Sequence, residues 1–160
     1  MIFVTAGTQL PFDRLIKVID EIAGSHPEIE FVVQALKSDY KAKHIKILDF
    51  ISPTDFNNYV DNSELIIAHA GMGTIISALV KQKPIIVVPR LTKYNEHRNE
   101  HQLATSKQMD HLSYVYVAYD EEELVAMFKW MWPDNLKPRN SIKEVASDNI
   151  ISSIDDFIKY

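Results

Sequence analysis

The sequence predicts an α/β protein built on a Rossmann-like, doubly wound parallel sheet, and three features carry that reading. Short apolar runs alternate with stretches of helical period along most of the chain. The runs are continuously apolar, as strands covered on both faces are. The glycines and polar residues of interest gather in the segments that follow the runs, where such a sheet places its ligand site.

Ile2–Thr5 is the expected first strand, since the chain starts directly on an apolar run. Asp13–Ala23 follows as a helix, with Leu15, Ile16, Ile19 and Ile22 as its apolar stripe and Pro11 near its start. Phe31–Ala35 and Ile45–Phe50 read as the second and third strands, and Pro53–Val60 as the helix after them. Leu65–Ala68 is a fourth strand leading into a helix at Thr74–Gln82, and Ile85–Val88 a fifth leading into a helix at Glu96–Met109. Tyr114–Ala118 is the sixth strand and Glu121–Met131 the helix behind it. Pro133, Asp134, Asn135 and Pro138 break that helix, and a last, interrupted helix is expected over Ser141–Ile158. The chain shows no repeat, low-complexity tract or linker, so residues 1–160 are expected to form a single domain.

At 160 residues and 46% hydrophobic content, the chain can bury one good core. Its net charge of -5 argues against duplex nucleic acid as a partner, because binding a phosphate backbone takes a broad basic face. The absence of cysteine excludes a disulfide framework and a thiolate metal site, and fits a cytoplasmic location. Met1–Thr8 lacks the basic segment and long apolar stretch of a signal peptide. No apolar run approaches the roughly 20 residues of a spanning helix.

The stretch Leu65–Ile76 is the most informative in the chain: it sets Gly71, Gly73 and Thr74 between a strand-like and a helix-like run. An anion docked at such a junction meets free backbone N–H groups and the positive end of a helix dipole. A side chain at either glycine would block close approach of a diphosphate or forbid a positive φ; the plainer reading is a tight strand-to-helix turn. Neither the triphosphate loop Gly-x-x-x-x-Gly-Lys-Ser/Thr nor a complete dinucleotide Gly-x-Gly-x-x-Gly is present, which leaves a nucleoside diphosphate as the natural ligand.

Two further loops are expected on the same rim: Gly7-Thr8-Gln9-Leu10-Pro11-Phe12-Asp13 after the first strand, and Pro89–His97 after the fifth. The latter runs into Glu96–Gln102, a polar opening for a helix. At helical spacing His97 and His101 share one face, and Arg98 and Gln102 its neighbour. Such a face suits sugar hydroxyls; the alternatives are a solvated first turn, or a zinc site from His97, His101 and Glu96 or Glu100 that lacks a third marked ligand. His69, beside the glycines, is a candidate catalytic helper or a structural strand-end histidine. Arg90 and Lys93 are candidate partners for phosphate charge or solvated cations.

His69-Ala70-Gly71-Met72-Gly73-Thr74, then Lys83-Pro84-Ile85-Ile86-Val87-Val88-Pro89-Arg90, then Lys93-Tyr94-Asn95-Glu96-His97 with His101-Gln102, together resemble the C-terminal domain of glycosyltransferase family 28. They are similar above all to the free-standing catalytic subunits of split glycosyltransferases, both bacterial exopolysaccharide enzymes and their eukaryotic dolichol-linked N-acetylglucosamine counterpart. The likeness runs from Met1–Thr5 through Gly7-Thr8 and Pro11–Leu15 to about Lys107, and is weak beyond Tyr119.

That resemblance implies the donor-binding half of a GT-B enzyme, which transfers a sugar from a UDP-sugar to a lipid-linked acceptor with inversion and without a required metal or cofactor. The family's diphosphate-binding role falls on Gly71, Met72, Gly73 and Thr74, and its sugar- and ribose-binding role on Arg90, Glu96, His97, His101 and Gln102. Gly7, Thr8, Gln9 and Asp13 border the acceptor or partner side, with Asp13 also readable as a helix-start residue. Larger relatives carry a ribose-binding glutamate where this chain has Ser77. One lobe cannot close a cleft around its reactants, so a membrane-anchored second subunit is expected to supply the acceptor lobe and to recruit this chain to the cytoplasmic face. Leu124, Met127, Phe128, Trp130, Met131 and Trp132, with Ile150, Ile151, Ile154, Phe157 and Ile158 in the segment 141–160, are candidate docking residues or ordinary core. The catalytic base comes from His69 or from the partner. A non-catalytic regulatory subunit that keeps the same pocket is the competing class, with a flavodoxin-like nucleotide-binding module a third.

Overall fold

Six strands, β1 (Ile2–Thr5), β2 (Phe31–Gln34), β3 (Lys46–Leu48), β4 (Leu65–His69), β5 (Ile85–Val88) and β6 (Tyr116–Val117), form one sheet in the order β3-β2-β1-β4-β5-β6. Every pairing is parallel, with Ile2 opposite Phe31 on one side and Leu65 on the other. The computed structural model describes residues 1–36 and 38–142. Helices α1 (Asp13–Ser25), α2 (Pro53–Asn62), α3 (Met72–Val80), α4 (His101–His111) and α5 (Glu121–Met131) make the connections. Strand order reverses between β1 and β4, which opens a crevice at their carboxyl ends.

The two-residue period of the strands divides the core. Ile2, Val4, Leu65, Ile67, Ile86 and Val88 belong to a cluster completed by Leu15, Ile16 and Ile19 of α1 and Leu124 and Phe128 of α5. Phe3, Ile66, Ala68, Ile85 and Val87 belong to the opposite cluster, with Val60 of α2 and Ile75, Ala78 and Leu79 of α3. Both faces of the sheet are therefore covered, which is why its strands are continuously apolar.

Most expected elements appear, with the second, third and sixth strands shorter than anticipated and the third helix starting two residues earlier, at Met72. One expectation needs correction: no helix starts at Glu96. Thr92–Tyr94 forms a single 3-10 turn, Asn95 takes a left-handed conformation at φ 56, and α4 begins only at His101. The Glu96 carboxylate is held by Arg14 and by the Leu91 N–H, which fixes this segment as an irregular loop. His97 and His101 thus share no helical face, and the two-histidine metal site loses its geometric basis.

Of the candidate docking residues, Leu124, Phe128 and Met131 are core, Met127 is half-buried, and the Trp132 ring stacks on Phe128 with centroids 6.3 Å apart. Trp130 stays exposed, edge-on to Tyr116. The rest of that set, and the last expected helix from residue 143 onward, lie outside the described residues. Among the described residues no helix is long and apolar enough to cross a membrane.

Helix α1 also anchors the loop between β2 and β3. Asp13 accepts from the Ser38 hydroxyl at 2.7 Å and the Asp39 N–H at 3.3 Å. Buried Asp20 accepts from the N–H groups of Lys43, His44 and Ile45 and from the Tyr40 hydroxyl. Burial alone would raise the Asp20 pKa, but these donors outweigh it and hold the carboxyl below its ordinary value. Its stabilising contribution is complete above the unfolded value of 3.8 and fades as pH falls through the lower folded one. Asp20→Ala is expected to cost about 3 kcal/mol in urea unfolding at neutral pH, since it strands several buried donors at once.

Candidate active site

A cleft of about 670 Å³ opens at the carboxyl ends of the strands. Its walls come from the segments after five of them: Thr5–Leu10 after β1, Gln34 at the end of β2, Phe50, Ile51, Pro53 and Phe56 after β3, His69, Gly71, Gly73 and Thr74 after β4, and Arg90, His97 and Gln102 after β5. The size suits a nucleotide-sized ligand.

The candidate anion site is the start of α3. Gly71 is its N-cap and has no side chain to cap the first turn; the first helical bond runs from the Ile75 N–H to the Gly71 carbonyl. The N–H groups of Met72, Gly73 and Thr74 precede that bond, lack an intrahelical acceptor and face the positive end of the helix. The Gly71 N–H is turned back to the His69 carbonyl at 2.8 Å, so the three residues after it supply the free donors. Neither Gly71 nor Gly73 has a positive φ; that conformation belongs to Gly7, at φ 79.

The two glycines serve different ends. A Cβ on Gly71 would sit 2.3 Å from His69 Nε2, and one on Gly7 2.8 Å from the same ring, so both residues make room for the imidazole. A Cβ on Gly73 would meet nothing within 4 Å. Gly73 lines the cleft, and a side chain there would start from open space.

His69 Nδ1 lies 3.4 Å from the Thr5 carbonyl, and a carbonyl only accepts, so Nδ1 carries the proton and Nε2 is left as a bare acceptor. Burial, then the positive charge of Arg90, push its pKa down to about 4, against the opposing effect of the Thr5 bond. The ring is neutral at physiological pH. Between pH about 4 and 6.5 the unfolded chain holds a proton here that the folded chain does not, so His69 subtracts stability as pH falls through that window. His69→Gln is expected to lessen the loss of unfolding free energy between pH about 7 and about 4.5 by about 2 kcal/mol, read from urea melts at both values.

Arg90 is buried and spends its guanidinium on the first loop: Nη2 donates to the Ala6 carbonyl at 2.6 Å and the Leu10 carbonyl at 2.5 Å, and Nη1 to the carbonyls of Pro11 and Glu96. Burial lowers its pKa to about 10, so it stays charged. The Arg90 N–H donates to Gln102 Oε1 at 3.1 Å, and the Gln102 amide nitrogen has no acceptor among the described residues.

The structure thus gathers Gly7, Thr8, Gln9, His69, Gly71, Gly73, Thr74, Arg90, His97 and Gln102 around one cleft. Met72 contributes an amide while its side chain is exposed, and His101 is exposed at the start of α4. Asp13 and Glu96 lie on a neighbouring cavity, with their carboxylates engaged by Ser38 and Asp39 and by Arg14 and Leu91.

Sequence reasoning missed the part of the cleft wall contributed after β3. Phe50 is 75% exposed at the cleft edge, with Ile51 and Phe56 behind it. It also missed Gln34, whose buried amide accepts from the Thr5 hydroxyl at 2.6 Å and reaches the Gly7 carbonyl at 3.4 Å. A lone glutamine closing an apolar strand, and an aromatic left just past a strand end, were the available signals.

Residues 1–158 match the glycosyltransferase family 28 C-terminal domain. Over 85 residues the chain is 36% identical to the UDP-N-acetylglucosamine transferase subunit ALG13 of Candida albicans, a match covering 52% of this chain and 28% of that protein. Over 108 residues it is 32% identical to the protein of the same name from Cryptococcus neoformans, covering 66% and 52%. The chain thus matches only 28% and 52% of the lengths of these relatives. Among solved structures, the NMR structure of ALG13 superposes with a TM-score of 0.60 at 21% identity, over 96% of this chain and 93% of that one. The crystal structure of Acinetobacter baumannii MurG gives 0.54 at 17% identity, over 81% and 40%. At these identities the structural likeness is one of fold.

Proposed function

The chain belongs to the glycosyltransferase family 28 C-terminal domain family, and from that premise we propose that it binds a UDP-sugar in the cleft and transfers the sugar, with inversion, to a lipid-linked saccharide. The observation that carries this reading is the uncapped start of α3 facing the cleft, with Gly73 leaving its approach open. The diphosphate sits on the N–H groups of Met72, Gly73 and Thr74, where helix and amide dipoles stabilise the charge that grows as UDP departs. The base lies against Phe50 and Ile51, whose exposed ring offers a stacking surface. Gln102, whose amide nitrogen has no acceptor among the described residues, and His97 bind the sugar, with Thr8 and Gln9 toward the acceptor.

His69 is the catalytic helper of this account. An anion beside its ring offsets the repulsion from Arg90 and draws a proton onto Nε2, which then donates to the leaving diphosphate. A ring held neutral with so low a pKa is a poor general base, so a second subunit supplies the group that takes the acceptor's proton. That subunit, membrane-anchored, also supplies the lipid-linked acceptor and recruits this chain to the cytoplasmic face of the membrane. The fit of this division is physical: all cleft residues lie at one edge of one sheet, and excluding water takes a second wall. Phosphate charge is carried by backbone dipoles, so transfer is expected to survive chelation of divalent metal.

Calorimetry with UDP and UDP-sugars, followed by transfer assays with the co-expressed second subunit and a lipid-linked acceptor, tests the proposal. Failure to bind UDP removes it. Binding without transfer in the presence of the partner assigns the chain a regulatory role instead.

A further inference from the structure

Two arginines join the loops that flank the cleft, and they point in opposite directions. Arg90, at the end of β5, reaches back to the carbonyls of Ala6, Leu10 and Pro11 in the first loop. Arg14, in the first turn of α1, reaches forward across 82 positions to Glu96: Nε donates to Oε1 at 2.8 Å and Nη2 to Oε2 at 2.9 Å, a two-pronged pair. Nη2 also donates to the Pro89 carbonyl at 3.0 Å. The Arg14 guanidinium lies against the rings of Phe12 and Tyr94, 5.3 and 5.0 Å from their centroids. Glu96 is 8% exposed, and its Oε2 accepts a further bond from the Leu91 N–H at 3.0 Å. Both oxygens of this carboxylate are thus engaged within the protein.

The geometry points to Glu96 as a positioning residue for the donor sugar, acting through Arg14 to fix where His97 and Gln102 stand relative to the start of α3. His97 is its immediate neighbour in the chain, and Gln102 is tied to the backbone of Arg90, whose guanidinium also reaches the Glu96 carbonyl. Asn95, in its left-handed turn, makes the loop reverse just before the clasp. Without the carboxylate, the loop keeps its own local bonds and the Arg90 contact to the Glu96 carbonyl but loses its tie to α1. The start of α3 shares none of these bonds, so diphosphate binding does not depend on them.

This inference rests on the nucleotide-sugar reading of the cleft, and one titration series separates the two. UDP and the UDP-sugar used as donor are titrated into the 160-residue chain, its Glu96→Gln variant and its Arg14→Lys variant, with melting followed in parallel. In both variants UDP-sugar affinity is expected to fall roughly tenfold while UDP affinity stays within about twofold. A residue that merely supports the fold would lower both affinities together, or neither; either result overturns the positioning role. Arg14→Lys keeps the charge and loses the two-pronged geometry, so it reports even where Glu96→Gln folds poorly. If the unaltered chain binds neither ligand, the nucleotide-sugar reading falls and takes this inference with it.

Discussion

Gly73→Leu is expected to weaken UDP binding by roughly a hundredfold or more and to leave the fold intact. Gly73 is the second residue of α3, and a Cβ there meets no atom within 4 Å, so the substitution starts from open space. Gly73 lines the cleft, and a leucine there is expected to crowd the N–H groups on which the diphosphate is proposed to sit. Leucine is also a better helix former than glycine, and stability is expected to hold or rise by up to about 1 kcal/mol. Lost binding with undiminished stability is the signature of a glycine retained for its ligand. Gly71 has a different constraint: any Cβ there meets the His69 ring, so Gly71→Ala disturbs the protein itself. Calorimetry with UDP and urea melts of the Gly73 variant decide the matter, and unchanged UDP affinity would reject the assignment.

Arg90→Met is expected to have the larger effect on stability, a loss of about 3 kcal/mol in urea unfolding. The side chain is buried, and methionine fills similar space without a donor, leaving the carbonyls of Ala6, Leu10 and Pro11 without it. A second consequence is electrostatic. The Arg90 charge is one cause of the depressed His69 pKa, after burial. Its removal should move the His69 titration up toward 6.5, visible as a shift in the imidazole resonances. Arg90→Lys, which keeps charge but not the fork, should retain most of the depression while losing much of the stability. A Met variant as stable as the unaltered chain would mean that the first loop does not depend on this guanidinium.

The parallel sheet, its helices and the position of the cleft could be read from the chain because each depends on local pattern. Ile2–Thr5, Ile85–Val88 and Glu121–Met131 fall where apolar runs and helical periods put them. The start of α4 could not be read that way. Glu96–Glu100 contains neither glycine nor proline; the turn-forming Asn95 and Asn99 are its local signals, and a carboxylate captured by Arg14, 82 positions away, fixes where the loop stands. The same distance hid the state of Glu96, which as a sequence looks like a sugar ligand and in the structure is half of an ion pair.

Gly71 illustrates a subtler limit. The sequence shows a glycine near an expected anion site, whereas the structure shows a neighbour, His69, occupying the space a side chain would need. Phe50 and Gln34 were overlooked for a third reason. The cleft residues contributed by the ends of β2 and β3, Gln34, Phe50, Ile51, Pro53 and Phe56, include no glycine or histidine to draw notice, and only the folded sheet shows them facing the cleft.

Titration of the isotope-labelled chain with UDP, followed amide by amide in NMR spectra, shows whether a nucleoside diphosphate rests on the first turn of α3. The amide signals of Met72, Gly73 and Thr74 should show the largest saturable shifts, with smaller ones at Thr8 and around Phe50. Shifts absent from α3, or centred on another part of the surface, would contradict that placement.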